Sequence, residues 1–188
     1  MDAKDRLRDK ALDLFSRTGY DGCGVQDICD AAGVTKPTLY HHYGSKAGLL
    51  EALVDDITRP LITGLRRLPP YAGDLPGTLT ELTRLFFSDA DRRPREYRYY
   101  LALLLAPDGT ESRRSVERSD AVITEHITRL FLAAAEQHGN MRGRHQLLTA
   151  AYRGMVSTIG ALIAEGRLSY TDEVLHRAVH QFSHGIYS

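Results

Sequence analysis

The sequence has few cysteines, no tryptophan and no excess of charge of either sign. Cys23 and Cys29 are the only cysteines among 188 residues, too few for a disulfide framework. In a cytoplasmic chain both thiols are expected to stay reduced, since a redox switch needs a perturbed microenvironment. The 24 Lys and Arg residues are balanced by 24 Asp and Glu residues. This balance excludes a strong non-specific grip on nucleic acid but leaves room for a local basic patch.

Long apolar runs are absent as well. No stretch reaches the roughly 18 consecutive apolar residues that a membrane helix needs, so we expect no membrane segment. The first residues are charged and lack the apolar segment of a secretory signal, so we expect a cytoplasmic protein. A hydrophobic fraction of 43% and a charged fraction of 26% are ordinary for a globular chain.

Apolar residues recur at three- and four-residue steps along the chain, which predicts an all-α fold of about nine helices. Glycines divide the front of the chain into three short helices, which end at Gly19, Gly33 and Gly44. A fourth helix follows Ser45. Further helical patterns lie at roughly 77–91, 94–106, 112–138, 143–166 and 172–187. The apolar stripes of the first two helices are Leu7, Ala11, Leu14, Phe15 and Thr18, and Val25, Ile28 and Ala32.

Two proline features divide the rest of the chain. Pro60 lies inside the fourth helical pattern, where a missing N–H costs about 3 kcal/mol, so we expect a kink or restart there. The segment from Pro69 to Pro76 is rich in turn residues and predicts a linker. We predict two domains, a small three-helix domain at 1–46 and a larger helical domain at 47–188.

The second and third helices, joined by a glycine turn, have the pattern of a helix-turn-helix. Such a motif projects polar side chains from the start of its second helix into the major groove. The start of the third helix holds Thr35, Lys36 and Thr38, whose hydroxyl and ammonium groups can bond base edges or phosphates. Thr35 is also placed to cap this helix. Tyr40, His42 and Lys46 are suited to phosphate contacts. Leu39 and Tyr43 are expected to point into the core.

At these residues the sequence resembles the tetracycline-repressor (TetR) family of bacterial regulators. The resemblance lies in the first 50 residues, at Gly19-Tyr20, Val25-Gln26-Asp27-Ile28, Ala31-Ala32-Gly33-Val34, Thr38-Leu39-Tyr40-His41-His42-Tyr43, Ser45-Lys46 and Leu49-Leu50. Cys23-Gly24 departs from the family pattern, which usually has small hydroxyl residues there. The side-chain cap of the second helix is therefore in doubt.

The resemblance implies a homodimer that reads a palindromic double-stranded DNA operator, and it most often implies a repressor that a small molecule releases. It also implies that the following residues lie at the DNA: Gln26, Thr35, Lys36, Pro37, Thr38, Tyr40, His41, His42 and Lys46. On this resemblance, the domain at 1–46 would bind DNA, and the domain at 47–188 would hold the effector and form the dimer. We expect an apolar or aromatic effector, and no cofactor.

Bundle interiors are common ligand sites, although aromatic residues at helical spacing also form ordinary cores. The residues predicted to contact the effector are Phe86, Tyr97, Tyr100, Leu104, His126, Tyr152 and Met155. In the 143–166 pattern, a stripe of bulky residues is expected to face the chain's own core. A second stripe of small residues is expected to face a partner chain, because small side chains let another helix approach closely. The predicted dimer interface is Ala150, Gly154, Thr158, Ala161, Val179 and Phe182, with Ile186 a turn further on.

Two alternatives stay open from the sequence. A helical protein-interaction module or an enzyme would need no DNA contact, but we find no phosphate loop, nucleophile elbow or zinc-protease motif, and predict no catalytic residue. His176, His180 and His184 are four apart on one helical face and could hold a transition metal. A solvated helix flank is the simpler interpretation, because no further ligand lies nearby, so no metal is predicted.

Overall fold

The computed structural model describes residues 2–187, with side chains as far as residue 184; the side chain of Ile186 thus lies outside the described residues. Over this range the chain forms nine α-helices, one 3₁₀ turn at Gly139–Met141 and no strand, which confirms the all-α prediction. The helices are Ala3–Thr18 (α1), Val25–Ala32 (α2), Lys36–Tyr43 (α3), Lys46–Arg67 (α4), Leu75–Arg92 (α5), Pro94–Leu104 (α6), Glu111–Gln137 (α7), His145–Ala164 (α8) and Asp172–Tyr187 (α9).

The caps of α1 and α2 come from aspartates. The carboxylate of Asp2 accepts the N–H of Asp5 at 2.8 Å, and Gly19 ends α1 with a φ of 75°. Gly24, at the N-cap of α2, has no side chain to offer. Instead, the Asp27 carboxylate accepts the N–H of Gly24 at 2.8 Å, so one half of a capping box replaces the missing hydroxyl.

The front unit, which consists of α1, α2 and α3, contributes a small group of buried residues to the core. Leu7, Phe15 and Ile28 are buried between α1 and α2, as their periodicity predicts. Thr18 was predicted to lie on the same stripe but is exposed, because its hydroxyl bonds the Leu14 carbonyl at the surface end of α1. Cys23 and Cys29 are buried.

Burial raises the pKa of both cysteine thiols, Cys23 and Cys29. The thiolate is the reactive form, so neither residue offers the exposed thiolate that redox sensing requires.

The fourth helix runs unbroken through Pro60, so it does not restart there, and the other possibility, a kink, stays a prediction. Proline has no N–H to donate to the carbonyl four residues earlier. Near that defect, the guanidinium of Arg93 donates to the carbonyl of Ile57 at 2.9 Å. The carbonyl that loses its helical donor is that of Asp56, the residue before Ile57, so the Arg93 bond lies beside the interruption and does not replace the missing hydrogen bond.

Behind the front unit, α8 packs against α5, α6 and α7, and α9 lies against α5. The predicted bulky stripe of α8 does face the chain's own core, since Tyr152, Val156 and Ile163 are buried. Buried side chains of the front unit and of the body form one continuous apolar core. The division at residue 46 stays a prediction.

Among the described helices, α8 alone is long and apolar enough to cross a membrane, with a mean hydropathy of 1.4. Core helices of soluble proteins meet the same criterion. Of its most apolar window, 39% is buried within the chain, so composition alone does not assign α8 to a membrane.

Candidate nucleic-acid interface

The third helix is held to the front unit by two side chains. Leu39 is completely buried, and the hydroxyl of Tyr43 donates to the carbonyl of Lys4 in α1 at 2.8 Å. These are the two residues that the sequence predicts to point inward. Since they lie four apart, one face of α3 is fixed and the opposite face is left to solvent.

The outer face of α3 carries the predicted polar residues. Tyr40 is 46% exposed, and Lys36 makes no ion pair with any residue that the structure describes. Thr38 is half-buried at the edge of this face. We call the following set the reading surface: Gln26, Thr35, Lys36, Pro37, Thr38, Tyr40, His41, His42 and Lys46.

The start of α3 differs in one detail from the prediction. Thr35 does occupy the N-cap position, but its hydroxyl makes no cap bond to the backbone. It lies 3.0 Å from the hydroxyl of Thr38 instead. Pro37 contributes no N–H to the first turn, which leaves fewer donors for a cap to satisfy. The two hydroxyls thus form a pair that stands beside the free ammonium of Lys36.

Lys46 is the first residue of α4, and an aromatic ring holds it. Its Nζ lies 4.0 Å from the ring centroid of Tyr20, a cation–π contact worth about 0.5–1 kcal/mol at an exposed site. Ser45 caps the helix by accepting the N–H of Gly48 at 3.0 Å. The preceding N–H groups of this first turn have no acceptor within the helix, so cation and helix terminus together suit an anion.

Two residues near the junction of α3 and α4 were not predicted from the sequence. Sequence reasoning gave Tyr20 no role, because a contact across 26 positions leaves no local pattern. It also passed over Gly48, where an added Cβ would lie 2.1 Å from the carbonyl oxygen of Tyr43. Only glycine permits this close approach, so Gly48 fixes how α3 meets α4.

Gln26 lies on the exposed side of α2, which packs against α3. Its amide donates to the carboxylate of Asp30 at 2.7 Å. Asp27 and Asp30 place negative charge on α2 beside the reading surface. The cations Lys36 and Lys46 of the reading surface therefore stand next to acidic side chains of α2, in line with the neutral charge of the chain.

The predicted effector residues lie mainly in packed interior. The hydroxyl of Tyr97 donates to the Val156 carbonyl at 3.1 Å, and that of Tyr152 pairs with Thr83 at 2.8 Å. Both are buried, with Phe86 and Tyr100, while Leu104 and Met155 are half-buried. Their role as effector contacts stays a prediction.

Tyr100 belongs to a small polar cluster between α6, α7 and α8. Its hydroxyl donates to the carboxylate of Asp120 at 3.2 Å, and Arg153 pairs with the same carboxylate. Burial raises the pKa of Tyr100 to about 12, so its hydroxyl stays protonated and remains a donor.

His126 is the predicted effector residue that borders an open cavity. The cavity measures about 310 Å³ and lies under the connector between α4 and α5, with Leu68, Tyr71 and Leu130 in its wall. Burial, helped by the nearby charge of Arg129, lowers the pKa of His126, so the imidazole is neutral at pH 7. A larger cavity of about 540 Å³ lies on the other side of the same connector.

The small stripe of α8 is open to solvent. Ala150, Gly154 and Thr158 are exposed, Ala161 is half-buried, and a Cβ on Gly154 would meet no atom within 4 Å. The predicted interface residues on α9, Val179 and Phe182, are placed differently, because they pack into the chain's own core.

Val179 is buried, and the ring of Phe182 packs 5.4 Å from that of Tyr152 and 6.1 Å from that of Phe131. The periodicity of α9 is therefore correct, but its apolar face points inward. An interface there would have to use its polar face.

The front unit is tied to α6 by ion pairs. Arg95 donates to Asp9 at 2.9 Å and to Asp13 at 2.7 Å, both on α1. These ion pairs link the start of α6 to the middle of α1. The Arg95 hydrogen bond lowers the pKa of Asp9, and this carboxylate stays charged at neutral pH.

Comparison with known proteins gives the same picture of the front unit. Residues 7–53 match the family model described as bacterial regulatory proteins, tetR family. The chain is 31% identical over 109 residues to the negative transcriptional regulator IcaR of Staphylococcus epidermidis, which covers 58% of this chain. The match spans 57% of the length of that relative.

Solved structures match the fold over nearly the whole chain. A putative transcriptional regulator from Pseudomonas aeruginosa PAO1 aligns with a TM-score of 0.74 at 18% identity, covering 97% of this chain and 89% of its own. A putative tetR family regulator from Shewanella sp. PV-4 aligns with a TM-score of 0.72 at 19% identity, over 96% and 95%. These matches are regulators, not enzymes. Residues 7–53 thus match the tetR family model, and the chain as a whole shares the fold of these solved regulators.

Proposed function

We propose that the chain represses transcription by binding double-stranded DNA through α3. The observation that carries this proposal is the division of α3 into two faces, with Leu39 buried on one and Lys36, Tyr40, His41 and His42 exposed on the other. The related IcaR is named a negative regulator, which favours repression over activation. Such a protein works in the cytoplasm, where its operator is.

Within the reading surface, we assign base recognition to Lys36 and Thr38 and phosphate binding to Tyr40, His42 and Lys46. Lys36 makes no ion pair with any described residue and stands at the start of α3, the end of a recognition helix that enters the major groove. A good contact to a base edge is worth about 1–3 kcal/mol of discrimination. Lys46 is held by Tyr20 at a helix N-terminus, a site that suits phosphate rather than a base.

We further propose that the protein acts as a homodimer on a palindromic operator. Because the chain is neutral and its basic groups are few, one reading surface alone has little general attraction for DNA. Two surfaces linked in one dimer bind with a raised effective concentration at the second half-site. The exposed small stripe at Ala150, Gly154 and Thr158 would let a partner α8 approach closely.

The proposed effector is an apolar or aromatic small molecule. The two cavities beside the connector share the apolar residues Leu68, Pro69 and Pro70. A ligand there would press on the end of α4, whose other end carries Lys46. Occupancy would thus respace the two reading surfaces. We expect His126→Trp, which fills the smaller cavity, to reduce release by the effector while DNA affinity is kept.

DNA binding is tested by fluorescence anisotropy on an inverted repeat taken from the region beside the gene, at several salt concentrations. We expect Lys36→Ala to lose about 1–3 kcal/mol on the correct sequence and to relax discrimination at particular base pairs. Lys46→Ala should weaken binding evenly across sequences and flatten the salt dependence. The control is Arg142→Ala, which removes an exposed cation near the 3₁₀ turn.

The same measurement separates the other classes of function. No binding of the chain at any salt concentration would favour a protein-interaction module or an enzyme. Equal losses from Lys36→Ala and Lys46→Ala on all sequences would contradict the division into base and phosphate contacts.

Dimerisation is tested by size-exclusion chromatography with light scattering. Gly154→Trp should yield a monomer, because the indole would fill the space that a partner helix needs. Gly154→Ala adds only one methyl group and should leave the dimer intact. A dimer that is unchanged by Gly154→Trp would show that the interface lies elsewhere.

A further inference from the structure

The polar face of α9 carries a histidine pair that has no part in the proposed reading of DNA. His180 and His184 are exposed and one helical turn apart, and their Nε2 atoms lie 3.0 Å from each other. The ring centroids are 4.2 Å apart at an interplanar angle of 69°. His176, a turn earlier, is used differently: its Nδ1 lies 2.7 Å from the carbonyl oxygen of Asp172.

The distance between the two Nε2 atoms is that of two ligands on one metal ion. Imidazole nitrogens bind zinc and similar ions at about 2.0–2.1 Å. Two bonds of that length to nitrogens 3.0 Å apart enclose an angle of roughly 95°. An angle near 90° suits adjacent positions of a tetragonal ion such as Cu²⁺ or Ni²⁺, whereas tetrahedral Zn²⁺ requires a wider one.

We propose that His180 and His184 form a two-imidazole chelate for a divalent ion of the copper and nickel type. In the free protein one Nε2–H donates to the other Nε2. Binding replaces that proton: the donor ring shifts its proton to Nδ1, and both Nε2 lone pairs then point to the metal. Because both rings are exposed, water can fill the remaining coordination positions.

Neighbouring carboxylates are not free to join this chelate. On α9, Glu173 pairs with Arg177 at 2.8 Å, and Asp172 pairs with Arg84 of α5 at 3.1 Å. No group of three or more metal-ligating side chains occurs among the residues that the structure describes. The site therefore has two protein ligands per chain, and a second copy of the chain could supply two more.

The proposal is tested by calorimetric titration of the full chain, prepared without a histidine tag, with Cu²⁺, Ni²⁺ and Zn²⁺ in a non-coordinating buffer. We expect a saturable site that binds Cu²⁺ most tightly, with one ion per chain, or one per two chains if two copies share it. Electron paramagnetic resonance of the Cu²⁺ form should show imidazole nitrogen coupling.

Matched variants locate the site. His180→Ala and His184→Ala should each abolish it, because one imidazole cannot chelate. His176→Ala removes an exposed histidine from the same helix and should bind as the parent does, with circular dichroism confirming that every variant is folded. A site that survives in His180→Ala and His184→Ala, is lost in His176→Ala, favours Zn²⁺ over Cu²⁺, or is absent from the parent chain would overturn the proposal. None of these outcomes depends on DNA binding.

Discussion

The front unit and the body use their polar side chains in opposite ways. On α3, Lys36, Tyr40 and His41 point outward from a helix whose inner face is closed by Leu39. In the body, polar groups such as the hydroxyl of Tyr152 are turned inward and bonded to protein partners. The front thus presents its chemistry to solvent on a fixed support. The polar groups of the body are instead bonded to other residues of the same chain. The helix-turn-helix motif therefore indicates DNA binding, whereas no residue of the body indicates the chemical class of an effector.

The largest change in stability is expected from a substitution at Leu39, on the buried face of α3. Leu39→Ala should lower the free energy of unfolding by about 2–5 kcal/mol, because it leaves a cavity under the helix. Tyr40→Ala, the next residue, should change stability by less than about 0.5 kcal/mol, as exposed substitutions do. Urea denaturation measures both.

DNA binding by the Tyr40→Ala variant gives the second half of this comparison. Tyr40→Ala should weaken binding while the fold stays intact. If Tyr40→Ala proved as destabilising as Leu39→Ala, the outer face of α3 would have a structural role and the contrast between the two regions would fail.

A second contrast lies within α8, which has one glycine on each side. An added Cβ at Gly160 would lie 2.2 Å from the hydroxyl oxygen of Tyr97, so Gly160→Ala should cost about 1–3 kcal/mol through overpacking. Gly154 meets nothing within 4 Å, and Gly154→Ala should stabilise the helix by up to about 1 kcal/mol. Thermal unfolding of the two variants gives the sign of each. A loss from Gly154→Ala would mean that the partner helix of the proposed dimer approaches too closely for even one added methyl group.

A third prediction concerns the inward polar groups of the body. Tyr152→Phe removes one partner of the buried bond to Thr83 and should cost about 1–2 kcal/mol, since the Thr83 hydroxyl loses its bond partner. Thr83→Val with Tyr152→Phe removes both groups and should cost less than the sum of the single changes. Additive losses in this double-mutant cycle, measured by urea denaturation, would show that the two hydroxyls contribute independently.

The sequence could predict the features that repeat locally. Helical periodicity placed Leu39 and Tyr43 inward and Tyr152 on the core side of α8, and glycines marked the helix ends. Contacts between distant residues were beyond it. Tyr20 under Lys46 and Gly160 under Tyr97 join positions far apart in the chain, and neither leaves a pattern in its own segment.

Two further features depend on packing that the sequence does not show. The apolar face of α9 is equally suited to a partner chain or to the chain's own core, and only packing decides that Phe182 turns inward. Likewise, α4 continues through Pro60, although the proline removes one donor from its hydrogen-bond ladder, and the sequence alone does not show whether a helix restarts at such a position.

The smallest effect is expected at the contact that joins the two regions. Arg95 and Asp9 are partly exposed, so Arg95→Ala should cost at most about 1 kcal/mol at pH 7. The pKa of Asp9 is lowered from 3.8 in the folded chain by the bond from Arg95, so the carboxylate binds fewer protons folded than unfolded. Its contribution is therefore complete above pH 4 and is lost as the pH falls through the folded pKa.

The stability difference between the parent and Arg95→Ala should accordingly shrink below about pH 4, which urea denaturation at pH 7, 4 and 3 can follow. Arg98→Ala, on the same helix but without a carboxylate partner among the described residues, should show no such dependence. Because Arg95 links α6 to α1, its loss should also alter how strongly an effector releases DNA, even though stability hardly changes. A difference between parent and Arg95→Ala that stays constant from pH 7 to pH 3 would mean that the ion pair does not connect the two regions in solution, and that the continuous apolar core alone holds the front unit on the body.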